Sequence, residues 1–157
     1  EKCIKELEAK MEALIKEDQQ LEYEIEMLNA IPGFGRLTAT NIAVLMRQHE
    51  ALKSYPKAAA YIGICPYKWE SGKSKKAARI SHLGPPRIRK LLHLGARSVC
   101  IHKEPYRSYY LRKLQEGKAK KLAINNVANK LLRTACAILT SGKPYIENHI
   151  PKHPKFN

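Results

Sequence analysis

Leu7, Leu14, Leu21 and Leu28 recur at every seventh residue near the start of the chain. Ile4, Met11, Asp18 and Ile25 recur at the same interval, three residues ahead of each. Steps alternating between three and four are the spacing of a coiled-coil seam. A single helix over 4–28 would be roughly 40 Å long, at ~1.5 Å per residue. A seam of that length cannot bury itself on a lone helix. It predicts a partner helix, from a second chain or from missing sequence of the same one. Asp18 in such a seam would weaken packing and fix register. The competing expectation is a long helix packed on its own domain.

The helical pattern stops at Asn29-Ala30, before Ile31-Pro32-Gly33-Phe34-Gly35. A second helix is predicted over about 37–48, with Leu37, Ile42, Val44, Leu45 and Met46 as its apolar surface. A short one follows over 56–62 and ends at Gly63. Residues 65–81 are polar, basic and without helical period, which suits a hairpin with its turn near Ser71-Gly72. Gly84-Pro85-Pro86 opens a helix running to about residue 102, with proline in the first turn where its missing N–H costs nothing. Glu104-Pro105 starts a shorter helix that ends at Gly117, and the last helix covers about 122–140, closed by Gly142. The fold class expected is mostly α: an N-terminal coiled-coil helix over 1–30, then a helix-hairpin-helix-containing helical domain over 31–146 with a short β-hairpin or basic loop, then an extended tail over 147–157. Glu1 rather than Met stands first, which points to a piece of a longer protein.

Charge divides the chain in the same place. Residues 1–30 carry four lysines and nine acids (4 − 9 = −5), and residues 31–157 carry 25 basic side chains and five acids (25 − 5 = +20). A segment so basic is most simply a binder of polyanions, with nucleic acid the default partner. The competing expectations are a merely solubilising basic surface and a coiled-coil assembly protein whose basic surface is incidental. No segment pairs its cations with a long apolar stripe, which argues against a membrane surface, and no apolar run approaches the ~18 residues a membrane span needs. Cys3, Cys65, Cys100 and Cys136 are scattered, without a CxxC pair or zinc spacing. They suit a reducing, cytoplasmic setting and free thiols, with no metal site and no cofactor expected in these residues.

Two constellations bear on chemistry. Gly33 and Gly35 allow a tight turn between helices, and the next helix adds its free N–H groups and positive dipole end. Together they suit a phosphate seat that reads no base, in the manner of a helix-hairpin-helix. The plain alternative is a structural turn. Gly72-Lys73-Ser74 resembles a nucleotide-binding P-loop, but Tyr67 stands where its first glycine belongs and no apolar strand precedes it, so nucleotide hydrolysis is rejected. What remains is a serine among cations. Lys68, Lys73, Lys75, Lys76, Arg79, Arg87, Arg89 and Lys90 fall within 23 residues, against the single acid Glu70. Such cations would hold a phosphodiester and stabilise charge building up as a serine attacks it. The plain alternative is a solvated lysine-rich turn.

Ile31-Pro32-Gly33-Phe34-Gly35, Ala60-Tyr61-Ile62-Gly63-Ile64-Cys65-Pro66, Ser71-Gly72, Ile80-Ser81-His82-Leu83-Gly84 and Ile88-Arg89 follow in order, with Lys-Leu-Leu-Arg at 130–133 and Gly-Lys-Pro-Tyr at 142–145. Over about 25–146 the chain resembles the C-terminal transposase domain of the bridge-RNA-guided insertion-sequence transposases, the group related to pilin-gene invertases. No single motif is specific; the ordered set is. The resemblance implies an enzyme of DEDD type, with four acidic metal ligands in an N-terminal RuvC-like domain, where magnesium is expected. It also implies a nucleophilic serine in this domain, which carries over onto Ser71, with Ser74 as the fallback. His82 stands where the family has lysine or arginine, Ile88 where it has leucine, and Lys73 where a second glycine is frequent. None of these removes the serine. DNA is the implied partner, with a guide RNA beside it and a second copy of the chain through the coiled coil. The isolated piece should be inactive without the RuvC-like domain. Gly33, Gly35, Lys73, Lys75, Lys76, Arg79, Arg87, Arg89 and Lys90 are the expected nucleic-acid contacts. A non-catalytic helix-hairpin-helix DNA-binding module is the competing function.

Overall fold

A computed structural model describes residues 2–65, 70–71, 74–75 and 83–147, with side chains over 3–65 and 83–147. In chain order the elements are α1 (Lys2–Glu17), α2 (Gln19–Asn29), α3 (Arg36–Gln48), a 3-10 turn (Glu50–Lys53), α4 (Tyr55–Ile62), β1 (Glu70–Ser71), β2 (Ser74–Lys75), α5 (Pro86–His102), α6 (Tyr106–Gln115) and α7 (Lys120–Ser141). The mostly-α class expected from the sequence is what the structure shows. The 3-10 turn between α3 and α4 is an element the periodicity did not mark.

The long N-terminal helix is where structure and expectation part. Asp18 is not a seam residue inside one 4–28 helix but the N-cap of α2. Its carboxylate accepts the Leu21 N–H at 2.9 Å, satisfying one of the donors a helix start leaves open. The helix is therefore broken at Asp18, and its two halves behave differently. On α2, Ile25 and Leu28 are fully buried, and α2 packs on α3. Extracting two such side chains to pair with another chain would cost about 3–6 kcal/mol, at about 1.5–3 kcal/mol each. On α1, Ile4, Leu7, Met11 and Leu14 remain 60, 56, 48 and 64% exposed.

Opposite charges tie the acidic helices to the basic domain. Arg36, first residue of α3, donates from Nε to Glu12 on α1 at 2.6 Å. Arg47, near the end of α3, binds both Asp18 and Glu24. The centre of the core lies between α5 and α7, where Leu92, Ala96 and Val99 meet Val127, Leu131 and Leu132. α3 closes one side through Ile42 and Met46, and α4 another through Ile62. No described helix is long and apolar enough to cross a membrane.

Candidate nucleic-acid interface

The stretch bearing Ser71 joins α4 to α5, and both of its ends are fastened near the last turn of α4. At the outgoing end Asn125 donates from Nδ2 to the Ile64 carbonyl at 3.0 Å. Asn129 Oδ1 accepts from the Tyr55 hydroxyl and from Cys65 Sγ, each at 3.1 Å. Asn129 Nδ2 donates to the Asn125 carbonyl at 3.0 Å, which fixes the amide's orientation. The two asparagines are four residues apart on α7 and so share a face. At the returning end the Gly84 N–H donates to the Tyr61 carbonyl at 2.9 Å. A side chain on Gly84 would put its Cβ 2.9 Å from Ile62 Cα, so only glycine permits this approach. Arg89 adds a bond from Nη1 to the Ile62 carbonyl at 3.0 Å. At about 0.5–1.5 kcal/mol for each hydrogen bond, these six contacts together contribute about 3–9 kcal/mol, comparable with burying two or three large side chains.

Between the clamps β1 and β2 pair antiparallel, with Glu70 opposite Lys75 and Ser71 opposite Ser74. The hairpin expected around Ser71-Gly72 is thus present as a short ladder, and the two candidate serines are register partners. The side chains of Ser71, Ser74 and Lys75 lie outside the described residues, as do Lys73, Lys76, Arg79 and His82 entirely. The expected extended tail also lies outside them beyond Glu147.

The glycine pair of the α2–α3 turn divides into two roles. Gly33 has φ +81°, and a Cβ there would sit 2.7 Å from both the Gly95 carbonyl oxygen and Val99 Cγ1. Gly33 therefore lets the turn lie directly against α5. Gly35 is extended, at φ −103°, and nothing lies within 4 Å of where its Cβ would be. The start of α3 is also not purely positive, because the Glu12 carboxylate sits on Arg36 there. Arg36 in turn holds the Glu12 carboxyl below the usual carboxylate range. Beside the turn, Pro32, Gly33, Phe34, Lys103, Tyr145 and Glu147 line an open groove of about 440 Å³.

Of the remaining expected contacts, Arg87 and Lys90 are exposed on α5, while Arg89 is half-buried and takes part in the clamp. A further basic cluster lies on α6 and α7, where the sequence reading named no contact. Lys130 Nζ is 3.8 Å from the centre of the Tyr109 ring, with Arg112 Cζ at 5.4 Å and Lys113 Nζ at 5.6 Å. Arg133 Cζ lies 4.5 Å from the centre of the Tyr55 ring. Desolvation lowers the affinity of Lys130 for its proton, and the charges of Arg112, Arg133 and Lys113 lower it further. Asn125, Asn129 and Arg133 recur at intervals of four along α7, a signal the sequence does carry.

Among the described residues no three His, Cys, Asp or Glu side chains group as a metal site. Cys100 and Cys136 are buried free thiols, and burial pushes Cys136 up to about 11.

The sequence profile described as "Transposase IS116/IS110/IS902 family" matches residues 25–111, more than half of the chain. A pilin gene-inverting protein of Moraxella lacunata is 28% identical over 144 residues, covering 90% of this chain and 45% of its own length. A transposase for insertion sequence element IS1111A from Coxiella burnetii is 27% identical over 148 residues, 92% of this chain and 40% of its own. A putative transposase of Sinorhizobium fredii is 30% identical over 146 residues, 90% of this chain and 37% of its own. The chain thus spans less than half the length of each of these relatives. The matched stretch begins within α2, takes in the glycine turn, the clamped serine-bearing segment and α5, and ends within α6, and by that match the chain belongs to the IS116/IS110/IS902 transposase family.

Proposed function

We propose that this chain is the DNA-binding, nucleophile-bearing part of a transposase that cuts and rejoins DNA through a serine–phosphate link. The observation that carries the reading is the double fastening of the Ser71 segment to α4 and α7, in a member of a transposase family. A nucleophile on a stretch pinned at both ends starts closer to its reacting geometry than one on a free tail.

In the first step Ser71 Oγ attacks a backbone phosphorus. The Oγ–P bond forms, the bond from phosphorus to the 3′ oxygen breaks, and the departing oxygen takes up a proton equivalent to the one serine loses. In the second step a 3′ hydroxyl of another strand attacks the phosphoserine, and Oγ regains its proton as it leaves. Lys73, Lys75, Lys76 and Arg79 supply the positive charge that stabilises the transition state. Arg87 and Lys90 at the start of α5 extend the basic surface toward neighbouring phosphates.

The wider assembly includes a guide RNA, and a second copy of the chain paired through the exposed edge of α1. Magnesium, in this reading, belongs to four acids of a RuvC-like domain outside these 157 residues, and no step here runs through it. In the complete enzyme Ser71→Ala should abolish strand exchange while DNA binding stays close to the parent, and Ser74→Ala should be milder. Full recombination by the Ser71→Ala enzyme would overturn the assignment and leave a non-catalytic DNA-binding module.

A further inference from the structure

We propose that Lys130 and Arg133 of α7, carried on the faces of Tyr109 and Tyr55, form a second DNA-backbone site that seats a phosphodiester next to the Tyr55–Asn129–Cys65 cluster from which the serine-bearing segment sets out. The inference rests on the DNA-binding reading above and extends it to a surface outside the basic hairpin.

The first observation is uncompensated charge. Residues 103–133 carry nine basic side chains and two acids (9 − 2 = +7). Glu116 is taken by Lys113, at 2.6 Å, and by Arg112, at 3.8 Å. Among the described residues no ion pair reaches Lys130 or Arg133. On α3 the chain does the opposite, pairing Arg36 and Arg47 with acids from α1 and α2. Four cations gathered with one acid repel one another, and a bound anion relieves that repulsion.

The second observation is preorganisation. Each cation head lies against a half-buried tyrosine ring, Lys130 on Tyr109 and Arg133 on Tyr55. Cation–π attraction restrains long side chains that would otherwise lose rotamer freedom on meeting a ligand. A guanidinium stacked in this way still offers its N–H edge to a phosphate oxygen. DNA is favoured over an acidic peptide because closely spaced cations suit the dense, regular charge of a duplex.

The third observation is location. Tyr55, which carries Arg133 on its ring, donates its hydroxyl to Asn129, and the same Asn129 oxygen holds Cys65. Cys65 is six residues before Ser71. A phosphate on Arg133 is therefore bound by the same side-chain cluster that fixes the outgoing end of the serine segment.

The test is fluorescence anisotropy of the 157-residue chain with a short labelled DNA duplex over a range of salt concentrations. The double variant Lys130→Gln/Arg133→Gln should lower the slope of log Kd against log salt by about 1.8, at about 0.9 per lost phosphate contact. Arg133→Gln alone should lower it by about half as much, which serves if the double variant does not fold. Lys130→Arg/Arg133→Lys should keep the slope. Lys10→Gln/Lys16→Gln removes the same charge from the acidic helix α1 and should leave the slope unchanged. An unaltered slope in the α7 variants, with a lowered one for Lys75→Gln/Lys76→Gln, would overturn this site and leave the DNA-binding reading standing. An equal loss in the α1 control, or a response to polyglutamate in place of DNA, would also overturn it. A parent chain that binds no duplex would remove both the site and the function it extends.

Discussion

Replacing Gly33 with alanine tests how the glycine turn is used. Its φ of +81° lies in the left-handed region, where a side chain costs about 1–2 kcal/mol. The added methyl would also stand 2.7 Å from the Gly95 carbonyl oxygen and 2.7 Å from Val99 Cγ1. The first neighbour is helix backbone and can yield only if α5 moves, so an overpacking penalty of about 1–3 kcal/mol is added. The expected destabilisation is about 2–5 kcal/mol. For a chain of this length it lowers the melting temperature by roughly 4–20 °C. Gly95→Ala is the sharper companion. In an isolated helix that change would stabilise by about 1 kcal/mol. Here a Cβ on Gly95 runs into the carbonyl oxygen of Gly33, so it should destabilise instead. Gly35→Ala meets open space on an extended backbone and should stay within about 0.5 kcal/mol of the parent. Urea unfolding and calorimetry of the three variants supply the comparison. If Gly33→Ala and Gly95→Ala both unfold with the parent, the turn does not need its close approach to α5, and the assignment of Gly33 to packing is wrong.

Two further outcomes concern the N-terminal helices. Leu7→Lys/Leu14→Lys should convert a dimer into a monomer in analytical ultracentrifugation, because these side chains are 56 and 64% exposed on α1; a parent chain already monomeric at high concentration would end the idea of α1 pairing. Asp18 is held below the usual carboxylate range first by the Leu21 N–H and then by Arg47. A depressed folded value means the unfolded chain takes up the proton first, so its contribution is present above about pH 4 and is lost as pH falls through the folded value. Asp18→Asn keeps a capping oxygen but not the charge. Its urea midpoint should therefore fall less steeply than the parent's on acidification, and identical acid limbs would contradict the depressed titration of Asp18.

What the sequence disclosed and what it withheld follow from how far apart the determining residues lie. The five helices from α3 to α7 were legible because their limits are written locally. Gly63, Gly117 and Gly142 follow helix ends, and Pro86 opens α5. The break at Asp18 was hidden because a cap of one residue leaves the heptad phase intact on both sides, so Leu21 and Leu28 still fell on the expected positions. Periodicity reports which face is apolar, not what covers it, and Ile25 and Leu28 are covered by their own domain. The glycine turn was visible as a pattern, yet the difference between Gly33 and Gly35 depends on Gly95 and Val99, more than sixty residues later. The α7 stripe is the same case at the site itself. Asn125, Asn129 and Arg133 announce a polar face by their spacing, but the meaning of that face depends on the chain bringing Tyr55, Ile64 and Cys65 against it. A serine's surroundings in sequence name the chemistry it could perform, while the residues that hold it in place come from helices folded elsewhere in the chain. Under the proposed serine chemistry, side chains such as Asn129 and Arg133 therefore belong to the functional question as much as the lysines around Ser71.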